Sequence, residues 1–443
     1  MRKVLKYPNY KESDVEWLGS IPEHWKIVKA KRILREVSIK NHPDEPLLAA
    51  TQTKGVIPKS LYENTTVTAS KNFETLKLVR KGDFVISLRS FQGGIEYAHY
   101  KGIISPAYTI LEPQDEVFHN YYRYLLKSKR YISGLTLLVT GIREGQNIDT
   151  SKFKDSFLPL PPKEEQTAIA RFLDYKLAKI NRFIQKKKQL IKLLNEQKAA
   201  IINQAVTKGL DPNAKMKESG IEWLGEIPEH WEVRKLKYDG KIKSGDGITS
   251  NEIEEKGNYE VYGGNGFIGF ANKFNVEGEN LIIGRVGAKC GNVHFINSKK
   301  FISDNALILT LNPGLNYTYY SMVLEVSNLN TLNTSSAQPL ITGTKVMNYP
   351  IPIAPKKEQQ QIVYYIEQET TIINTTISKI EKEIALVEEY KTALIAEAVT
   401  GKIDVRGYQV PEVESEEESD EELEAEMSMA AEDADDYQTE EME

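Results

Sequence analysis

Few side chains in this chain combine the type and spacing that covalent chemistry needs. His24 and His230 each stand in the same short segment, Pro-Glu-His-Trp, and histidine there could serve as a metal ligand or a general base. Neither has a cysteine or a second histidine close by, so a structural role is preferred over a zinc site. Cys290 is the only cysteine, which excludes cysteine-rich metal sites and any disulfide within the chain. No glycine-rich loop ends in Gly-Lys-Ser/Thr, so nucleotide hydrolysis is unsupported. Leu160-Pro-Pro-Lys163 lacks the polar and aromatic flanks of an amino-methyltransferase tetrapeptide, and no glycine-rich methyl-donor loop accompanies it. Gly263-Gly-Asn-Gly-Phe267 has the wrong spacing for a dinucleotide loop. Carboxylates are plentiful but form no nuclease-like cluster. A binding scaffold is favoured; an enzyme with a scattered active site and a coiled-coil adaptor remain the alternatives. No cofactor or metal is expected.

Charge gives the first hint of a ligand. The chain has 443 residues and a formal net charge of -6, but residues 411–443 hold 17 acids and no base. The remaining body carries 46 acids against 57 bases, a net +11. A basic body with an acidic tail points to nucleic acid, with a lysine-rich solvated surface as the competing reading. The length suits about two to three domains. No apolar run approaches the roughly 18 residues of a membrane span, and the start Met-Arg-Lys-Val-Leu-Lys is not a signal peptide. A cytoplasmic protein without membrane contact is expected.

The elements that hold these side chains come in two sets. Glu164–Val206 returns without a gap as Lys357–Val399, 193 residues on, and each copy follows a proline-rich entry. Neither copy contains Gly or Pro. Ile169, Leu173, Leu177, Ile180, Ile184, Ile191, Leu194 and Ile201 trace an apolar stripe at 3/4 spacing or its multiples. Ile362, Ile366, Ile373, Ile377, Ile380, Ile384, Val387 and Leu394 repeat it. So narrow a seam predicts two coiled-coil helices, each roughly 60 Å long, that bury their stripes on each other. Such a rod would set a fixed distance between whatever hangs on its ends. A second element, Lys11–Trp25, returns as Lys217–Trp231 at an offset of 206. Trp17, Leu18, Ile21, Pro22 and Trp25 form an apolar clamp around a turn.

Between the repeated elements the patterning is mostly short-period. Asp83–Leu88 and Gly102–Leu111 read as strands, Phe91–His99 as a turn and a strand, Asn120–Lys129 as a helix, and Thr140–Asp149 as an exposed polar loop. In the second half, Leu281–His294 stands where Phe84–Ile95 stood, Phe301–Leu309 where Ile103–Leu111 stood, and Thr334–Thr342 near the Gly141 loop. Gly209 can cap the first long helix and Pro212 prevents its restart. The frame recurs while the loop residues diverge, as expected of one fold that binds two targets. Residues 412–443 are low-complexity acid, for which no structure is predicted.

The body, about 1–405, resembles the specificity subunit of type I restriction–modification systems. Three paired motifs carry the resemblance: Glu16-Trp-Leu-Gly-Ser-Ile-Pro-Glu-His-Trp25 with its copy at 222–231, Pro162-Lys-Glu-Glu-Gln166 with Pro355-Lys-Lys-Glu-Gln359, and Ala205-Val-Thr-Lys-Gly209 with Ala398-Val-Thr-Gly-Lys402. The resemblance implies an α+β chain with an internal, pseudo-twofold duplication. Two globular target-recognition domains would be joined by two long antiparallel coiled-coil helices. The segments are 1–157, 158–208, 209–350 with its linker, 351–405, and a disordered acidic tail from 406 to 443. Each domain would read one half of a split site in double-stranded DNA, and the helices would set the unread spacer. Half-sites about one helical turn apart lie roughly 34 Å from each other. Two modification (methyltransferase) subunits would dock on the helices, joined by restriction (translocase–nuclease) subunits that supply the chemistry this chain lacks. The acidic tail departs from the family pattern.

Major-groove reading favours Arg or Lys on guanine and Asn or Gln on adenine. The candidates are Arg89, Gln92, Arg143, Gln146 and Asn147 in the first domain, and Arg285, Lys289, Asn292, Ser335, Gln338 and Lys345 in the second. Each competes with the reading of an ordinary polar surface residue. Lys186, Lys187 and Lys188 either face phosphates or form a solvated coiled-coil face. Phe172, Phe183, Leu190 and Leu193, with Tyr365, Ile372 and Leu386, lie beside the seams. They are the expected partner surface, unless the globular domains fold back over them.

Overall fold

The computed structural model describes residues 6–62, 72–88, 90–135, 139–140, 147–287, 289–333 and 339–411. The chain forms two compact units: one takes the described residues up to Lys187 and from Glu381 onward, the other spans Lys188–Ile380. Each unit therefore owns one globular region, the start of one long helix and the end of the other.

The long helices run over Lys163–Lys208 and Lys356–Val399. Proline-rich entry and an unbroken run of helix-compatible residues explain both starts. Lys208 is followed by Gly209 and Thr400 by Gly401, both at φ +75°, where a side chain would be strained. Within the first unit Lys187 pairs with Glu383 at 3.1 Å and Lys391 donates to Asn181 at 2.7 Å, which fixes an antiparallel register. In the second unit Lys198 donates to Asn374 at 3.0 Å. The seam residues Ile169, Leu173, Ile180, Ile362, Ile366 and Val387 are buried.

Each globular region is built on the same four-stranded antiparallel sheet. In the first unit the order is Leu34–Val37, Thr109–Pro113, Phe84–Ile86, Glu96–Tyr97. In the second it is Gly240–Ser244, Ala306–Leu311, Asn280–Gly284, Val293–Ile296. The central strands are apolar on both faces and wholly buried, Phe84–Ile86 and Asn280–Gly284 alike. A two-stranded ribbon leads into each long helix: Lys26–Lys29 with Phe157–Leu160, and Glu232–Lys235 with Pro350–Ile353. Around this common frame the units differ. The first adds the pairs Leu48–Thr51 with Gly55–Pro58 and Lys77–Val79 with Gly102–Ile104. The second adds a three-stranded sheet of Gly266–Ala271, Tyr259–Gly263 and Phe301–Ile302.

Two expected elements are divided. The strand expected over Gly102–Leu111 is two, Gly102–Ile104 and Thr109–Pro113, which join different sheets. The helix predicted over Asn120–Lys129 is two helices, His119–Leu125 and Lys129–Leu135. Ser128 explains the break: its hydroxyl donates to Leu125 O at 2.8 Å and accepts from Tyr131 N at 3.3 Å, ending one helix and opening the next.

The repeated Pro-Glu-His-Trp segment proves to be a clamp on the helix entry. In the first unit the Glu165 carboxylate accepts from Trp25 Nε1 at 2.9 Å and from the Tyr7 hydroxyl at 3.0 Å, and meets His24 Nε2 at 2.6 Å. In the second, Glu358 meets His230 Nε2 at 2.8 Å. The histidines thus tie a strand turn to the first helical turn. Among the described residues no group of three or more His, Cys, Asp or Glu could hold a metal ion. The neighbouring glutamines are buried and bonded. Gln166 accepts from Phe118 N at 2.8 Å and donates to Pro161 O at 2.9 Å, and Gln359 donates to Ala354 O at 2.9 Å. No helix among the described residues is long and apolar enough to cross a membrane.

Candidate nucleic-acid interface

In each unit the geometry brings together two loops that are far apart in sequence. In the first unit the strand Phe84–Ile86 leaves the sheet into a one-turn helix, Ser90–Gly93, before returning as Glu96–Tyr97. Gln92 is exposed on that turn. The turn packs beside the short strand Asn147–Ile148. That strand pairs with Val139–Thr140, and the two flank Arg143 and Gln146 in the sequence. Arg89, Arg143 and Gln146 themselves lie outside the described residues, and of Asn147 the backbone alone is described.

A buried ion pair holds this arrangement. Glu96 is 1% exposed, and Lys127 Nζ donates to both its carboxylate oxygens at 3.0 Å. The same ammonium donates to Gln52 O at 2.8 Å and Gly93 O at 2.5 Å, so one charge fixes two loop backbones. Burial pushes the Glu96 carboxyl up to about 7, although Lys127 pulls the other way.

The second unit repeats the juxtaposition with different residues. Residues 285–292 form the loop between the inner strand Asn280–Gly284 and the edge strand Val293–Ile296. Ile341 N donates to Arg285 O and Gly287 N to Pro339 O, so the residues after 334–338 lie against it. Ser335 and Gln338 are outside the described residues. Lys289 and Asn292 are exposed, and Arg285 is half-buried. Its Nη1 donates to Ser244 Oγ at 3.3 Å, while its buried Nε has no partner. A third loop joins them. The turn at Gly263–Gly266 leans on the Arg285 loop so closely that a Cβ at Gly284 would sit 2.1 Å from Gly264 O. Phe267 projects beside that turn and is half-exposed. Lys345 lies further along the chain, in the helix Gly343–Met347. Its ammonium donates to Leu332 O at 3.0 Å, which closes the preceding loop.

Sequence reasoning missed Glu96, Lys127, Ser244 and the Gly263–Gly266 turn. A signal for Glu96 exists, since a lone acid interrupts the strand-like run Ile95–Ala98; nothing in the sequence marks Lys127 as its partner.

The profile of the type I restriction modification DNA specificity domain matches residues 18–193 and again 228–386, one match for each copy of this arrangement. The chain belongs to the type I restriction–modification DNA specificity family. The matched profile is that of a DNA specificity domain rather than a catalytic one. The chain is 29% identical over 151 residues to the Type I restriction enzyme EcoprrI specificity subunit of Escherichia coli, covering 33% of this chain and 38% of that relative. It is 26% identical over 448 residues to the Putative type I restriction enzyme MjaX specificity subunit of Methanocaldococcus jannaschii, covering 91% and 99%. A solved chain described under complex assembly and conformational transition of the type I R-M system shares the fold, with a TM-score of 0.64, 16% identity, and 86% and 99% covered.

The residues expected to face partners divide sharply. Phe172 and Phe183 are 6% and 2% exposed, so both are buried in the first unit. The Tyr408 ring meets Phe172 edge-on at 4.8 Å, and Lys187 lies over the Phe183 ring at 4.8 Å. Leu190, Leu193, Tyr365, Ile372 and Leu386 are exposed as expected. Of the lysine cluster, Lys187 pairs with Glu383 rather than standing in solvent.

Proposed function

We propose that the chain reads a bipartite, asymmetric sequence in double-stranded DNA within a type I restriction–modification complex. Each globular region recognises one half-site. The observation that carries this reading is the repeated frame: one sheet order, built twice, gathers the corresponding loops in each unit but arms them with different side chains. A shared frame with divergent loops suits two half-sites of different sequence. Gln92, Asn147 and the 141–146 loop read one half; Arg285, Lys289, Asn292 and the 334–338 loop read the other. The recognition domains correspond to 1–157 and 209–350, and the helical segments 158–208 and 351–405 set the spacer between half-sites. Two modification subunits dock on the helices, restriction subunits join them, and the assembly works in the cytoplasm.

Replacing residues 26–157 with the equivalent domain of a relative is the decisive experiment, read by methylome sequencing. One half of the methylated sequence changes and the other stays. Changes in both halves, or in neither, would sink independent reading. Inserting four residues near Lys208 lengthens the spacer while keeping both halves; an unchanged spacer would remove the ruler role. Deleting residues 411–443 leaves the methylated sequence unaltered, since the tail serves solubility or phosphate competition and not base choice.

A further inference from the structure

The two copies of the helix-entry clamp are not equally complete. In the first unit two chain segments close it, one before the first strand and one after the second long helix. The first segment supplies the Tyr7 hydroxyl to Glu165. The second supplies Arg406, whose guanidinium lies 4.8 Å from the Tyr7 ring, and Tyr408, seated 4.8 Å from Phe172 and 6.3 Å from Tyr175. Lys176 Nζ lies 5.9 Å from the Tyr408 ring.

The second unit has a single segment for both tasks. Residues 209–215 must leave the first long helix and lead directly into the strand Met216–Glu218. Two differences accompany this. Trp231 is fully buried, yet its Nε1 has no hydrogen-bond partner, whereas Trp25 Nε1 donates to Glu165. And the place that Tyr408 fills is open. The 193-residue repeat carries Phe172 onto Tyr365 and Tyr175 onto Gln368. Those two residues, with Leu210, Asp211, Gln361 and Tyr364, line a hollow of about 550 Å³. Tyr364 is 65% exposed and Tyr365 40%.

We propose that this hollow is the seat for an aromatic side chain of a modification subunit, filling in the second unit the place that Tyr408 fills in the first. The inference rests on the docking of modification subunits set out above. The filled copy defines the chemistry of the occupant: a ring presented on an extended segment, packed edge-on against the helix aromatic. Charge excludes the chain's own acidic tail. Asp211 lines the hollow, and Glu369 stands where the first unit has Lys176. A second copy of this chain is a poor donor too, since its Tyr408 is already seated in its own first unit. The same helix halves expose Leu190, Leu193 and Ile372, which extends the apolar surface open to a partner.

The test places the photo-crosslinker p-benzoylphenylalanine at Tyr364 in the full chain, co-expressed with its cognate modification subunits. Illumination gives a crosslink to one modification-subunit peptide that contains an aromatic residue. The double variant Tyr364→Ala, Tyr365→Ala lowers the affinity for modification subunits by about tenfold or more, as loss of interface aromatics does, with the circular dichroism of the chain unchanged. An assembled complex that crosslinks to residues 412–443, to a second copy or to nothing overturns the inference and leaves the docking itself intact. Failure of any complex to assemble with the unmodified chain overturns the docking reading, and the inference with it.

Discussion

The two globular regions share a sheet order and differ in how they are finished. The first closes its clamp with three groups on one carboxylate, from Tyr7, His24 and Trp25. The second relies on His230 and leaves an indole nitrogen buried and unpaired. The first unit holds the segment before Tyr10 and the segment after Val399, while the second is entered through Lys163–Lys208 and left through Lys356–Val399. The copy with spare segments spends them on covering Phe172; the other leaves Tyr365 and Tyr364 open. Duplication therefore preserves the frame that packing demands and makes the two outer surfaces unequal.

That inequality can be broken at several points. The largest effect is expected where the clamp meets the helix end. Gly401 and Gly209 share the same positive φ, but a Cβ at Gly401 would sit 2.4 Å from Pro22 Cδ, whereas at Gly209 the nearest atom is Glu358 Oε1 at 3.1 Å. The ring of Pro22 cannot yield as a carboxylate arm can. Gly401→Ala lowers unfolding stability by about 3 kcal/mol or more, and Gly209→Ala by about 1–2 kcal/mol. Urea denaturation of the two variants checks the order; equal losses would show that the clamps are equally tight.

Trp25→Phe and Trp231→Phe come next. Both remove the same ring volume, so the difference isolates the hydrogen bond. The Trp25 variant is the less stable by about 1–3 kcal/mol, because Glu165 loses a donor and Trp231 has none to lose. A difference near zero would mean that Trp231 Nε1 is satisfied in solution.

The smallest effect is one of pH. Folding raises the Glu96 carboxyl from 4.5 to about 7, mainly by burial. Between these values the folded chain holds a proton that the unfolded chain has released. Stability of the first unit therefore falls as pH rises through that window. Glu96→Gln flattens the fall by up to about 2 kcal/mol between pH 5 and pH 7. Hydrogen exchange at Phe84–Ile86, followed at pH 5 and pH 7, reads it out, with Asn280–Gly284 as the internal reference. The same slope in both strands would detach the effect from Glu96.

The sequence was sufficient for everything that rests on period and local chemistry. The long helices follow from 3/4 spacing and the absence of Gly and Pro, and the end of the first from Gly209, where a helix terminates in a left-handed residue. The duplication is visible as two offsets, 193 and 206. The candidate loops were also legible, because polar residues of base-reading type cluster between strand-like runs. That the Ser90–Gly93 turn lies beside Asn147–Ile148 was not. Nor was the burial of Phe172 by Tyr408, more than two hundred residues away. Periodicity records which face of an element is apolar. It carries no record of which distant segment covers that face, because coverage depends on where the chain returns after folding. The same limit hid the Lys127–Glu96 pair. Either residue alone reads as an ordinary surface charge, and only the tertiary structure, by burying one and aiming the other at it, turns them into the anchor of the Ser90–Gly93 turn.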